Sequence, residues 1–214
     1  MNTADRIREL ELEIADLNRR LIGVRGGRGG WLPYYTQAEV DNLFKKEMEI
    51  AFPLDGIGKG ATAPTITRLG NTIGWAFTIG DDGYLSFEVP LSWDEDSDIT
   101  IKLHVYVNDT YGASSGEVRW QGTYSCVPED ESEPVDGATH TGTLDSGDID
   151  IPAVAKVLQE ITLGAIPKAD IAEHDTIFIL LSRIALVAGS DPGSEPVVVA
   201  AEYEWITDKL GEAL

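Results

Sequence analysis

Two segments of the chain alternate apolar and polar side chains strictly, and this alternation constrains the fold more than any other feature. The alternating residues are Ile99, Ile101, Leu103, Val105 and Val107 in the first segment, and Val118, Trp120, Gly122, Tyr124 and Cys126 in the second. Successive side chains of a strand point to opposite faces, so a period of two predicts half-buried β-strands.

Further strand-like segments show the same pattern. The segments 72–79 and 84–89 are separated by the turn residues Asp81-Asp82-Gly83, which predicts a hairpin. Apolar runs at 176–186 and 196–206 add more strands, whereas the acidic segment 129–150 is expected to be a solvated loop. Some seven or eight strands separated by turns predict a mainly β fold. We expect an antiparallel β-sandwich, jelly-roll-like, over residues 53–214.

The N-terminus has a different period. Its apolar residues fall at heptad spacing, with Ile7, Ile14 and Leu21 at one position and Leu10, Leu17 and Val24 three residues further on. This predicts a coiled-coil helix over residues 1–25 and therefore self-association. The pattern leans weakly towards a dimer, and a helix packed on its own body is the alternative. Glycines in residues 26–35 predict a linker.

A second helix is predicted directly after the linker. Thr36 and Glu39 have the spacing of a capping box, and Tyr35 and Val40 that of a hydrophobic staple. The apolar positions Val40, Leu43, Phe44 and Met48 would form its buried stripe. We therefore expect a short capped helix over residues 36–52 that ends before proline 53.

The segment Tyr34 to Leu43, YYTQAEVDNL, resembles a block of the form YYT-x-AEVDxL found in fibre and spike proteins of tailed bacteriophages. In those proteins the block lies between a stalk and a distal β-domain. The resemblance implies a head-fibre or capsid decoration protein on the virion surface. It also implies a homotrimer attached to the major capsid protein or another virion protein. Trp31 and Tyr34 are candidate contacts with a neighbouring subunit or virion protein.

The formal net charge is −21, and it is distributed unevenly. Residues 1–30 carry six arginines and five acidic residues, so residues 31–214 carry −22. An acidic body repels nucleic acid and anionic membranes, and we expect neither as a partner. No apolar run approaches ~18 residues, and the first residues lack the apolar stretch of a secretory signal. We therefore expect synthesis in the host cytoplasm.

No motif for catalysis, metal binding or a cofactor is evident. Cys126 is the single cysteine and lies in a predicted strand, which favours a buried apolar role. The three histidines are scattered without metal-ligand spacing, and His104 is out of phase with the apolar face of its strand. Asp94, Asp96 and Asp98 resemble a calcium loop, but Ile99 stands where an EF-hand needs glycine. A looser divalent-ion site there stays open.

Five tryptophans could stack on sugars, namely Trp31, Trp75, Trp93, Trp120 and Trp205. Four of them lie in or beside predicted strands, where core packing is the expected role. The sequence as a whole predicts a structural virion protein that is not an enzyme. A glycan-binding receptor module of a tail fibre or baseplate is the alternative, and a polysaccharide-cleaving enzyme is a weaker one.

Overall fold

The computed structural model describes residues 46–52, 58–108, 116–129, 133–152 and 154–207. The chain divides into two compact units, Met1–Lys45 and Lys46–Leu214, and all described residues belong to the second. The predicted coiled coil over residues 1–25 and the linker over residues 26–35 therefore lie outside the described residues.

The described residues of the second unit form strands, with one short 3-10 turn among them at Lys168–Asp170. The strands are β1 (Lys46–Phe52), β2 (Gly58–Lys59), β3 (Thr65–Leu69), β4 (Thr72–Ala76), β5 (Asp82–Glu88), β6 (Ile99–Val107), β7 (Glu117–Val118), β8 (Trp120–Val127), β9 (His140–Asp145), β10 (Ile149–Asp150), β11 (Gln159–Ile166), β12 (Thr176–Arg183) and β13 (Pro196–Thr207).

Two antiparallel sheets contain most of these strands. The first sheet has the order β11-β6-β13-β4-β3, and β1 pairs with β13 beside β4. Strands β1 and β4 share one edge of β13 because β13 is 12 residues long. Val197 and Val198 pair with β4, and residues 201–207 pair with β1. The second sheet has the order β2-β5-β12-β8-β9, and β7 and β10 form a separate two-stranded ribbon.

The inward faces of the two sheets share one apolar core, which confirms the predicted β-sandwich. The five alternating residues of β6 are all buried, as are the alternating residues of β8. Aromatic rings join the sheets directly: Phe87 of β5 stacks on Tyr203 of β13, with ring centroids 4.2 Å apart. Phe77, just past β4, meets Trp120 edge-on at 5.1 Å.

The predicted helix over residues 36–52 is wrong at its C-terminal end, because residues 46–52 form strand β1. The capping signals lie upstream of the described residues and do not determine the conformation of residues 46–52. Along β1, Met48 packs against the core while its neighbours Glu47 and Glu49 are exposed. Pairing with β13 therefore places Met48 on the core side of the strand and the two glutamates on the other side.

Two further expectations are corrected. The strands predicted as a hairpin, β4 and β5, belong to different sheets. The segment between them crosses over through Asp81, whose carboxylate accepts hydrogen bonds from the backbone N–H of Thr78 at 2.7 Å and from its hydroxyl at 2.9 Å. The segment 129–150 is not all loop, because it contains β9 and β10, and β9 completes the second sheet.

Candidate functional site

The site residues predicted from the sequence all lie outside the described residues. They are the seam Ile7, Leu10, Ile14, Leu17, Leu21 and Val24, the cap and staple Tyr35, Thr36, Glu39 and Val40, and the contact candidates Trp31 and Tyr34. They stay predictions. The described unit nevertheless carries two outer surfaces with distinct chemistry, one on each sheet.

The four tryptophan side chains in the described part of the chain contribute to neither surface. Trp75, Trp93, Trp120 and Trp205 are all buried, which confirms the core role predicted for them. Cys126 is also fully buried, and burial raises the pKa of its thiol to about 12. A thiol with that pKa is neutral and unreactive near pH 7, so the expectation of a small buried apolar residue is confirmed.

The aspartates before β6 are engaged in structure. Asp94 is buried, and its carboxylate accepts a hydrogen bond from the backbone N–H of Asp96 at 3.1 Å. Lys168 pairs with Asp96 at 2.9 Å, and its backbone N–H donates to Asp98 at 2.9 Å. These contacts agree with the turn expected ahead of β6, since they close the turn and tie it to the end of β11.

The outer face of the first sheet carries a group of charged side chains that we name the Lys102 cluster. It consists of Glu47, Glu49, Lys102, His104, Glu160, Glu202 and Glu204. The strand register brings them together: Lys102 lies opposite Glu202, and His104 lies opposite Glu160. Because the alternate residues of β6 and β13 fill the core, these side chains must share the outer face.

Lys102 lies at the centre of the cluster and is largely buried. Its ammonium group forms an ion pair with Glu204, and lies 3.4 Å from Glu160 and 3.7 Å from Glu49. The hydrogen bond with Glu204 raises the pKa of Lys102 above its ordinary value, although burial opposes this. Lys102 therefore stays charged, but its one ammonium group lies within 4.0 Å of four glutamates, and Glu47 adds a fifth to the cluster.

Glu202 is the most buried carboxylate of the cluster, with its side chain only 9% exposed. One oxygen, Oε2, lies 2.9 Å from Nε2 of His104. The other, Oε1, has no hydrogen-bond partner within the described part of the chain, and the ammonium group of Lys102 lies 4.0 Å away. Burying an incompletely paired carboxylate is costly, so this arrangement requires compensation.

Glu47 and Glu204 interact at the edge of the same cluster. The hydrogen bond between them raises the pKa of Glu47 and lowers the pKa of Glu204, with Lys102 also lowering the latter. The two carboxyl groups therefore titrate as a pair. Together with Glu49 they bring three ligand atoms within 4.8 Å of one another.

His104, Glu160 and Glu202 form another group whose ligand atoms all lie within 4.8 Å of one another. A third such group, Glu88, Glu129 and His174, is more exposed and lies at the rim of the second sheet. Sequence spacing could not reveal the group around His104, because its members come from β6, β11 and β13. The residues His104 and Glu202 are 98 positions apart.

The middle of the outer face of the second sheet is uncharged and rich in hydroxyl groups, and we name it the hydroxyl face. It consists of Tyr84, Ser86, Thr123, Ser125, Thr141, Thr143, Phe178 and Leu180. Asp82 and Asp145 border it at one end and Glu88 borders it at the other. Tyr84 is 49% exposed and lies opposite Leu180. Next along the same row come Thr123 and Thr143. An exposed ring beside hydroxyl donors and acceptors is an arrangement that can bind a sugar ring.

Within the described residues, no helix is both long enough and apolar enough to cross a membrane.

Comparison with known proteins identifies no family. No protein-family model matches the chain, and no curated protein matches it. Among solved structures, it is similar to the xylan-binding module CBM15, with 14% identity, a TM-score of 0.41, and coverage of 75% of this chain and 97% of that one.

Two other solved structures are similar at a comparable level. One is the CBM36-1 domain of a multidomain xylanase from the hindgut metagenome of Trinervitermes trinervoides, with 10% identity, a TM-score of 0.39, and coverage of 78% of this chain and 100% of that one. The other is infectious bursal disease virus, Gx strain, with 11% identity, a TM-score of 0.38, and coverage of 89% and 37%.

Proposed function

We propose that this protein is a structural component of a tailed-bacteriophage virion, a head fibre or capsid decoration protein anchored through its N-terminal region. One observation carries the proposal. The block Tyr34 to Leu43, which resembles the phage stalk block, ends just before the compact β unit that begins at Lys46. The chain thus has the stalk-to-head order of the proteins it resembles.

The strand order supports a jelly-roll-like head. Eight strands form two rows, β4-β13-β6-β11 and β5-β12-β8-β9. In chain order, β4, β5 and β6 alternate between the two rows, and so do β11, β12 and β13. Antiparallel rows joined in this way are the connectivity of a double Greek key, the jelly roll of many capsid domains.

The proposed partners are argued from the seam and from charge. The seam residues at heptad spacing support self-association, and the resemblance favours a homotrimer on the major capsid protein or another virion protein. An acidic body disfavours nucleic acid and anionic membranes as partners. The proposed location is the virion surface, and the proposed role is structural, without an enzymatic reaction or a cofactor needed for one.

The seam provides the test. Replacing Ile14 and Leu17 with Asp places charge at positions that a coiled coil buries, so we expect loss of the oligomer and of particle attachment while β-type circular dichroism is retained. The matched control adds the same two charges off the seam, at Ala15 and Asn18. Sedimentation velocity and co-sedimentation with particles measure both effects. A seam variant that attaches like the wild type, or a wild-type monomer at micromolar concentration, would refute the proposal.

The hydroxyl face favours a second candidate function, the binding of host glycans by a tail-fibre or baseplate receptor module. Tyr84 would supply the stacking ring, and Thr123 and Thr143 would supply hydrogen bonds. A glycan array followed by titration tests it. Tyr84→Ala should abolish saturable binding, whereas Tyr84→Phe should retain most of it. Leu91→Ala removes an equally exposed side chain outside the face and should have no effect.

A further inference from the structure

We propose that His104, Glu160 and Glu202 form a binding site for a divalent transition-metal ion, with Zn²⁺ the ion that suits it best. The site lies on the outer face of the first sheet. It joins three neighbouring strands, β6, β11 and β13.

The geometry requires only a small adjustment. The three ligand atoms lie within 4.8 Å of one another, and His104 and Glu202 already approach to 2.9 Å. In a tetrahedral zinc site with bonds of about 2.0–2.2 Å, ligand atoms are roughly 3.3 Å apart. Ligand atoms that are now up to 4.8 Å apart must therefore close to about 3.3 Å, and Glu160 is the side chain best placed to move. Its side chain is 49% exposed and sits on the outer side of an edge strand, so it can move at the expense of its 3.4 Å ion pair with Lys102.

The buried carboxylate of Glu202 supplies independent support. Its Oε1 atom lacks a hydrogen-bond partner among the described residues, although the side chain is nine-tenths buried. An oxygen in that position costs free energy unless a cation or a donor satisfies it. A metal ion that replaces the hydrogen bond between His104 and Oε2 lies beside Oε1 as well, so it can satisfy both oxygens of this carboxylate.

The local charge also favours a cation. Lys102 forms its ion pair with Glu204 and lies 3.4–4.0 Å from Glu160, Glu49 and Glu202, so it neutralises only part of the cluster. Five glutamates against one lysine leave a clear excess of negative charge. A divalent ion at His104, Glu160 and Glu202 would reduce that excess without displacing Lys102 from Glu204.

The donor set selects the kind of ion. One imidazole nitrogen with two carboxylate oxygens suits Zn²⁺ and its transition-metal neighbours. Calcium and magnesium prefer sites made wholly of oxygen with six or more ligands. Three protein ligands leave a fourth position of a tetrahedral zinc ion open. Because Glu160 is half-exposed, that position faces solvent and can take water or a ligand from another molecule.

The test uses the full chain, stripped of metal with a chelator and then titrated with ZnCl₂ by calorimetry. We expect one saturable site and a higher Tm when zinc is bound, since a ligand that binds only the folded state stabilises it. Glu160→Gln and His104→Gln should each weaken zinc binding by more than about tenfold, given that even outer-shell changes at metal sites cost ~10–100-fold.

The control is His174→Gln, which removes the histidine of the exposed group Glu88, Glu129 and His174. It should bind zinc like the wild type. Glu160→Gln is the main variant because its half-exposed side chain carries little of the fold, and its metal-free Tm should match that of the wild type. Loss of zinc binding in His174→Gln, unchanged binding in Glu160→Gln, or saturation by CaCl₂ and not by ZnCl₂ would each overturn the proposal.

Discussion

A methyl group added at Gly122 tests how the two sheets face each other. A Cβ atom built on this residue of β8 would lie 2.9 Å from Cδ2 of Leu163, a residue of β11 in the opposite sheet. It would also lie 3.2 Å from Ile179 and 3.6 Å from Leu144, both in its own sheet. The close approach across the sandwich is therefore to Leu163, whose side chain is fully buried.

The magnitude is set by two opposing effects. Overpacking a core typically costs about 1–3 kcal/mol, whereas replacing glycine with alanine in an unstrained conformation restores about 0.4–1 kcal/mol. The contact falls on the mobile end of Leu163, so we expect Gly122→Ala to destabilise the fold by about 1–2 kcal/mol. Leu163→Ala alone should cost about 2–5 kcal/mol because it empties a fully buried site.

The double variant separates the sandwich geometry from a general loss of stability. With Leu163 shortened, the new methyl at residue 122 occupies vacated space, and Gly122→Ala should then have little effect or stabilise. The coupling energy would be about 1–3 kcal/mol. Urea unfolding at fixed protein concentration measures it. Ser125→Ala, on the outer face of the same strand, should be additive with Leu163→Ala. If the effects of Gly122→Ala and Leu163→Ala also add to within about 0.5 kcal/mol, the proposed contact between residue 122 and Leu163 is refuted.

Three further predictions concern buried polar groups. Arg183→Leu should cost about 3 kcal/mol in urea unfolding, since it removes a buried guanidinium and leaves Asp191 without this ion pair. Tyr124→Phe should cost about 1–3 kcal/mol in the same assay, because the hydroxyl of Tyr124 donates to Asp170 at 2.6 Å. Burial raises the pKa of the Cys126 thiol from 9.0 to about 12. The neutral thiol therefore contributes its full stabilisation below about pH 9, and this contribution is lost as the pH rises to about 12. Alkaline unfolding of Cys126→Ala should be flatter over that window, and thiol reagents should modify the wild type only once it unfolds.

The sequence predicts best those strands whose two faces differ. In β6 the residues Ile99, Leu103 and Val107 face the core, and the polar residues between them face outward, so the period is visible without a structure. Strands β12 and β13 are also predictable, because their apolar runs are bounded by turn residues. The β-sandwich can be inferred because many such strands with short turns leave few other arrangements.

Sequence reasoning fails where pairing is determined far away along the chain. The segment that forms β1 is predicted as the end of a helix, since its partner β13 is about 150 residues distant and no local signal announces it. The chain turns at residues 78–81, while Asp82 and Gly83 of the predicted turn already belong to β5. Sequence alone cannot say whether the strand after that turn returns to the same sheet. Here it enters the other sheet, where β5 pairs with β2 and β12.

The Lys102 cluster is beyond sequence analysis for the same reason. The alternation along each strand shows that His104 is out of phase with the apolar face and that Glu202 and Glu204 point outward. Nothing local shows that β6 and β13 are neighbours, so nothing shows that His104 meets Glu202 or that Lys102 lies among five glutamates. The burial of Glu202 on an outward face is likewise a product of neighbouring side chains on adjacent strands.

The two outer faces of the sandwich differ in a way that determines which of them can meet an identical subunit. If two copies of the Lys102 cluster met, five glutamates of one subunit would face five of the other, and each set would have only one lysine to compensate it. The repulsion between the two sets would grow as water is excluded. The eight residues of the hydroxyl face carry no charge, and the acidic side chains on this side of the sandwich, Asp82, Asp145 and Glu88, lie at its two ends, so covering its middle desolvates mainly neutral groups. In the proposed trimer, the second sheet is therefore the face that can approach a neighbouring head. The first sheet can contact a neighbouring head only when a cation has neutralised part of the Lys102 cluster. Zinc bound at the proposed site would therefore favour assembly by reducing the negative charge of this face.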